Sequence, residues 1–101
     1  MAEDRRARLT RLVGDEIRRL APEGGVGAAV EMRTGGNAGW SITVTLAGVR
    51  ASALLVGSDE DPYALSDAQF TVAARHLLAE ARKKAARDDA IRQRRNEENR
   101  S

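Results

Sequence analysis

Apolar residues near the start of the chain recur at helical intervals. The positions that share one helical face are Leu9, Val13, Ile17 and Leu20. Because they are separated by four, four and three residues, they predict an amphipathic helix over residues 2–20. Pro22 cannot continue a helix, and the two glycines that follow it favour a turn.

The middle of the chain alternates between apolar and polar residues, which is typical of half-buried strands. Residues 26–33 and 40–47 both show this alternation, and the glycine-rich run 34–39 between them predicts a hairpin turn. Gly48 allows a second tight turn before a third run over residues 49–56. That third run differs from the others because it places apolar residues on both faces.

A second helix is marked by its start. Ser66 and Gln69 fit a capping box, and Leu65 and Phe70 occupy the positions of a hydrophobic staple around it. The apolar stripe that follows contains Phe70, Ala73, Ala74, Leu77, Leu78, Ala81 and Ala85. Since no Gly or Pro occurs from residue 63 onward, nothing in the sequence ends this helix early.

These elements predict an α+β fold in the order α-β-β-β-α. We expect a three-stranded antiparallel meander with both helices on one face and a long C-terminal helix that projects beyond the sheet. Residues 1–86 form the predicted single domain, because the apolar stripe ends at Ala85. Residues 87–101 are then either a charged helical extension or a frayed tail.

Composition excludes several classes of protein. The 101 residues include no cysteine and one histidine, which removes disulfides, thiolate metal sites and every site that needs two histidines. No apolar run approaches the roughly 20 residues that span a bilayer, and the N-terminus leads into no apolar signal segment. We therefore expect a cytoplasmic protein that is not an enzyme, with no metal, cofactor, membrane contact or evident small-molecule substrate.

Four short features contain residue types found in functional sites, and each has a simpler structural interpretation. His76 lies on the flank of the second helix with no partner at catalytic spacing, and the acids 59–61 lack the alternating ligands of a calcium loop. The glycines at 24–27 precede a strand, whereas a phosphate cradle opens a helix. The turn 34–39 next to Trp40 suits an insertion loop or an ordinary turn that anchors the core.

Basic residues are concentrated near the C-terminus. Seven of them are candidate contacts to a macromolecule: Arg82, Lys83, Lys84, Arg87, Arg92, Arg94 and Arg95. A helical wheel brings Lys83 or Lys84, Arg87 and Arg94 close together, and it places Arg95 with Arg92 and Lys84 on a neighbouring face. Asp88 and Asp89 dilute the positive field. Arginine outnumbers lysine fifteen to two, which codon bias in a GC-rich genome explains equally well.

The α-β-β-β-α order is similar to that of double-stranded RNA-binding domains, and the similarity covers topology alone. That family carries a Gly-x-Gly-x-Ser-Lys-Lys-x-Ala-Lys run before its last helix, whose lysines bind phosphates. The matching region here reads Gly57-Ser58-Asp59-Glu60-Asp61-Pro62, which is acidic and repels phosphate. No residue role therefore follows from the resemblance.

The third strand predicts a homodimer. It is an edge strand in the expected meander, and residues 51–56 offer none of the charges, prolines or bulges that normally protect an edge. Alternation puts Leu54 and Leu55 on opposite faces, so one of them points away from the helices. We expect these two leucines to mark an interface between two copies.

Two functions remain from the sequence. The first is a non-catalytic macromolecule-binding or adaptor module that acts through surface and oligomer contacts with an unidentified protein partner. The alternative is a small nucleic-acid-binding protein that uses the basic C-terminal helix. A phage or mobile-element origin fits a small protein of this kind, and gene neighbourhood is the observation that would test it.

Overall fold

The computed structural model describes residues 5–99, and the side chains of residues 5–95. In chain order the elements are α1 (Arg5–Leu20), β1 (Val26–Arg33), a 3-10 turn (Gly35–Asn37), β2 (Gly39–Leu46), β3 (Val49–Leu55) and α2 (Asp67–Asn99). The predicted α-β-β-β-α order and the α+β class are confirmed. Residues 2–4 of the predicted first helix lie outside the described residues.

The strands form one antiparallel sheet in the order β1-β2-β3, with both helices on one face. Helix α1 lies over β1, while α2 lies over β2 and β3 and packs against α1. The buried side chains of β2 are Trp40, Ile42, Val44 and Leu46, and the residues between them face away from the helices. We call the side without helices the open face.

Trp40 is the centre of the core. Its indole N–H donates to the carbonyl oxygen of Tyr63 at 3.1 Å, and its ring meets those of Tyr63 and Phe70 edge-on, at 6.0 and 6.1 Å between centroids. The indole is therefore both buried and hydrogen-bonded, as a tryptophan in a protein interior requires. This geometry confirms the interpretation of Trp40 as a core anchor.

The predicted capping box begins α2. The backbone N–H of Ser66 donates to the Gln69 side-chain oxygen at 2.8 Å, and the Gln69 N–H donates to the Ser66 hydroxyl at 3.4 Å. Leu65 is half-buried against the same core that encloses Phe70. The two ends of the staple thus hold the helix start to the sheet.

Replacing Ser66 with Ala tests that start. The variant loses the hydroxyl that accepts the Gln69 N–H, so we expect a loss of about 1 kcal/mol in the free energy of unfolding. Urea titration followed by circular dichroism measures it. Ser58→Ala is the control, because it removes a hydroxyl that accepts a hydrogen bond within the preceding loop and not at a helix start. A Ser66→Ala chain as stable as the original would mean that the box contributes nothing.

The turn between β2 and β3 has two residues, and both adopt positive φ. Ala47 has φ 52° and Gly48 has φ 82°, which is the type I′ geometry that matches the twist of a hairpin. Glycine tolerates this conformation, whereas the Cβ of alanine is strained by it. Ala47 is exposed to solvent, and its N–H donates to the Gly25 carbonyl at 3.0 Å.

Replacing Ala47 with Asn is expected to stabilise the protein. Asparagine is the preferred first residue of a type I′ turn and tolerates positive φ, so the gain should be about 1 kcal/mol. Thermal and urea unfolding measure it. Ala38→Asn serves as the control because Ala38 has an ordinary φ of −65°. Equal effects of the two substitutions would contradict the strain at Ala47.

Ion pairs join the two helices along their shared flank. Arg8 contacts Asp67 at 3.0 Å, and Arg75 contacts Glu16 at 2.6 Å. The hydrogen bonds from Arg75 and Arg19 hold the pKa of Glu16 below its ordinary value, and Arg8 does the same for the pKa of Asp67. These pairs fix which flank of α2 faces α1.

Helix α2 is much longer than the sheet that it covers. Its 33 residues span about 50 Å, and the molecule measures 61 × 30 × 19 Å. The last fully buried residue of the described helix is Ala81, and Ala85 is half-buried. The extension predicted as helical or frayed is helical through Asn99, and the domain boundary at residue 86 stays a prediction.

No membrane-crossing segment is found among the helices of residues 5–99.

Candidate binding surface at the edge of the sheet

The two leucines predicted as an interface face opposite ways. Leu55 pairs with Trp40 in the β2–β3 register, and its side chain is half-buried on the helix side. Leu54 pairs with Ser41, and its side chain lies on the open face with 43% of it exposed. The predicted division of the leucines between the two faces is confirmed, and a contact with a second copy stays a prediction.

An apolar groove runs beside Leu55, between β3 and α2. The residues that line it are Leu55, Ala68, Gln69, Val72, Ala73 and His76. The groove is shallow and open, with a volume of about 420 Å³. Val72 is 48% exposed there, although most valines at helix positions next to a sheet are covered. We call these six residues the edge groove.

The backbone of β3 beside this groove is unpaired on its outer side. In a hairpin with a two-residue turn, alternate residues of the second strand point their N–H and C=O outward, which here are Arg50, Ser52 and Leu54. Lys84 donates to the carbonyl of Arg50 at 3.2 Å, so that end of the edge is protected by a lysine. Within residues 5–99, Ser52 and Leu54 make no backbone hydrogen bond outside the sheet.

The other edge of the sheet is better defended. The second half of β1 carries Glu31 and Arg33, both exposed, and charges on an edge discourage pairing. The second half of β3, residues 52–55, carries no charge. Met32 is half exposed on β1, so what distinguishes β3 is its uncharged second half and the groove beside it.

The seven basic residues predicted as macromolecule contacts are not all brought together. Arg82 lies on the α1 side of α2, where it donates to the Leu20 carbonyl at 2.8 Å and pairs with Glu23 at 3.3 Å. Lys84 reaches under the helix to Arg50. Arg92 lines a small cavity with Asp88 and Asp89, and Arg95 lies one turn further along. Arg82 thus faces α1, Lys84 faces β3, and Arg92 faces the β2–β3 turn, so these residues do not share one side of the helix.

The three remaining basic residues continue the edge groove. Lys83, Arg87 and Arg94 follow His76 at intervals of seven, four and seven residues, which keeps them on the same side of the helix. All three are exposed, and none forms an ion pair with the side chains of residues 5–95. We call them the basic flank. Exposed Glu80, four residues after His76 and seven before Arg87, lies on the same side. The surface beside β3 is thus apolar near the start of α2 and carries three cations and one acid further along it.

The acidic loop is organised by its own hydrogen bonds. The Asp61 carboxylate accepts from the N–H of Tyr63 at 3.0 Å, and the Ser58 hydroxyl accepts from the N–H of Asp61 at 3.0 Å. Asp59 and Glu60 are exposed at the tip. No cluster of potential metal ligands occurs in the part of the chain that the structure describes.

Truncating the chain after Ala86 is expected to leave the domain folded. The removed residues contribute no buried side chain in the described part of the helix, so the melting midpoint should change little. Circular dichroism and thermal unfolding test this, with the full chain as control. Any binding that uses Arg87 or Arg94 is expected to be lost. An unfolded truncated chain would show that the extension stabilises the domain.

Sequence reasoning missed Val72 and the outer side of His76 as surface residues of a groove. Val72 was the available signal, because it is an apolar residue that falls off the stripe running from Phe70 to Leu77. An apolar residue outside the buried stripe marks a second apolar side of the helix. The spacing of apolar residues along α2 does not show that Val72 lies next to the β3 edge of the sheet.

Comparison with protein-family models, with curated proteins and with solved structures finds no significant match to this chain.

Proposed function

We propose that this chain is a non-catalytic protein-binding module that accepts an extended segment of its partner at the edge of β3. The partner strand bonds to the free backbone groups of Ser52 and Leu54, and its apolar side chains enter the edge groove. This arrangement follows strand addition, in which the backbone supplies affinity and adjacent pockets supply specificity. The observation that carries the proposal is an uncharged, unpaired edge beside exposed Val72.

The basic flank gives this site a preference for partner segments that carry acidic residues. Lys83, Arg87 and Arg94 lie further along the same side of α2, so a bound segment that runs past the groove meets positive charge. A segment with apolar residues at one end and acidic residues at the other is the best match. Charge of this kind steers association and fixes orientation more than it raises affinity.

Selection from random linear peptides tests the proposed function. We expect enriched peptides to shift the amide resonances of Ser52, Leu54 and Val72, and Val72→Glu to abolish their binding because it charges the groove. Ala29→Glu, at an exposed position on the open face of β1 and away from the groove, is the matched control. Peptides that bind Val72→Glu as tightly as the original chain would contradict the proposal.

Nucleic-acid binding is the second candidate, and one observation favours it. The basic flank presents three cations without partners among residues 5–95, the arrangement that phosphates need. If duplex RNA or DNA binds there, Arg87→Ala should lower the slope of log affinity against log salt by about one. Arg33→Ala, at the far end of β1, should leave the slope unchanged. Binding without salt dependence would reject this candidate.

A further inference from the structure

We infer that the segment accepted at the edge of β3 is β3 of a second copy of this chain, joined across a two-fold axis. This inference rests on the proposed function, since it names the occupant of the same site. Three features support it: the position of the free backbone groups, the position of α2 at the edge of the sheet, and the charges that two copies exchange.

The free backbone groups fit a self-pairing register. If Ser52 of each copy faces Leu54 of the other, all outward N–H and C=O groups of these residues form hydrogen-bonded pairs. In this register Arg50, whose carbonyl accepts from Lys84, lies opposite Val56 of the second copy, one residue beyond the end of β3. The two-fold axis then passes between the two copies of Ala53, whose small side chains suit the close approach of a pair without mutual hydrogen bonds.

The position of α2 also fits a second copy. Helix α2 contacts both β2 and β3, so it lies over the half of the sheet that ends at this edge. Paired strands lie about 4.8 Å apart and packed helices about 8–10 Å apart, so two copies joined through β3 bring their α2 helices close to each other. Pairing the edges thus brings the edge groove of each copy against the other α2.

Charges complete the match. In an antiparallel pair, the segment that follows β3 in one copy passes the β2–β3 turn of the other copy. The extension of α2 in that other copy projects beyond the same turn. Exposed Asp59 and Glu60 follow β3 within a few residues, and Arg87 and Arg94 belong to the basic flank of the extension. Asp88 and Asp89 lie next to the β2–β3 turn, so the cations available to the acidic loop of the other copy are those of the basic flank. The two-fold axis makes this contact occur twice.

Sedimentation equilibrium tests the assembly, and charge reversal tests its contacts. We expect a particle of twice the 10.9 kDa chain mass. Reversing both flank arginines (Arg87→Glu with Arg94→Glu) or both loop acids (Asp59→Lys with Glu60→Lys) should each weaken self-association at least about tenfold. Mixing the two variants should restore dimers. Arg6→Glu with Arg11→Glu changes the net charge equally on exposed α1 positions and should have no effect.

A single cysteine tests the register independently of charge. The chain has no cysteine of its own, so Ala53→Cys should yield a disulfide-linked dimer on mild oxidation, since facing residues of this kind lie about 4.5 Å apart between Cα atoms. Ala28→Cys, on the β1 edge, should stay monomeric in the same gel. Circular dichroism confirms that each variant is folded before its mass is measured.

The outcomes separate this inference from the proposed function. A mass of 10.9 kDa at high protein concentration would overturn self-pairing, and peptide binding to that monomer would leave the proposed function standing. A dimer in which Ala53→Cys does not cross-link would overturn the β3 interface. If peptides also fail to bind that dimer, the proposed function falls with it.

Discussion

Replacing Phe70 with Ala is expected to lower the free energy of unfolding by about 3–5 kcal/mol. Phe70 has no exposed surface, and its ring meets that of Trp40 edge-on at 6.1 Å. Truncation removes both the buried area and the aromatic contact, and it leaves a cavity between α2 and β2. Many small domains have a total stability of about 5–15 kcal/mol, so this single change endangers folding.

Chemical denaturation of the Phe70→Ala chain measures that loss. Val72→Ala is the matched control, because Val72 lies two residues further along the same helix and is 48% exposed. We expect the control to change the free energy of unfolding by less than about 1 kcal/mol. Similar losses for the two variants would mean that α2 packs on the sheet through a different side.

Replacing Gly39 with Ala is the second large effect. Gly39 begins β2 with φ 154°, and a Cβ built there would lie 2.5 Å from the Leu55 carbonyl oxygen and 3.2 Å from the side chain of Val56. The obstacle is backbone, which cannot move aside as a flexible side chain does. We expect a loss of about 2–4 kcal/mol and displacement of the end of β3.

Gly36→Ala is the control for Gly39. It lies in the same connection, and a Cβ there meets nothing within 4 Å. Thermal unfolding of both variants, together with amide spectra of residues near Leu55, measures the effect. Because Leu55 lines the edge groove, Gly39→Ala should also lower the affinity of the groove for any ligand. A Gly39→Ala chain as stable as Gly36→Ala would contradict the close approach.

Local patterns carried the prediction of the elements. Strict alternation located β2 to within one residue at each end, because a shift by one residue turns every side chain to the other face. The capping box located the start of α2 because Ser66 and Gln69 satisfy each other's backbone groups without help from the rest of the chain. Both signals are contained within a few consecutive residues.

Which residues belong to the candidate site depends on contacts between residues that are far apart in the sequence. The sequence places Arg82 in the basic stretch of α2, but it does not show that the end of α1 lies beside it. The bond from Lys84 to Arg50 likewise depends on how α2 crosses β3. The edge groove was missed for the same reason, since Val72 becomes part of a surface only when Leu55 lies next to it.

The long α2 makes the single chain elongated. The radius of gyration of the chain is 16.5 Å, whereas that of a compact chain of about 100 residues is near 13 Å. Friction in solution therefore exceeds that of a sphere of equal mass, and a monomer elutes early from a sizing column, at the apparent mass of a larger protein. Tumbling is anisotropic too, so amides whose N–H bonds align with α2 should relax differently from those of the strands. Absolute mass, not elution volume, is consequently the quantity that distinguishes one copy from two.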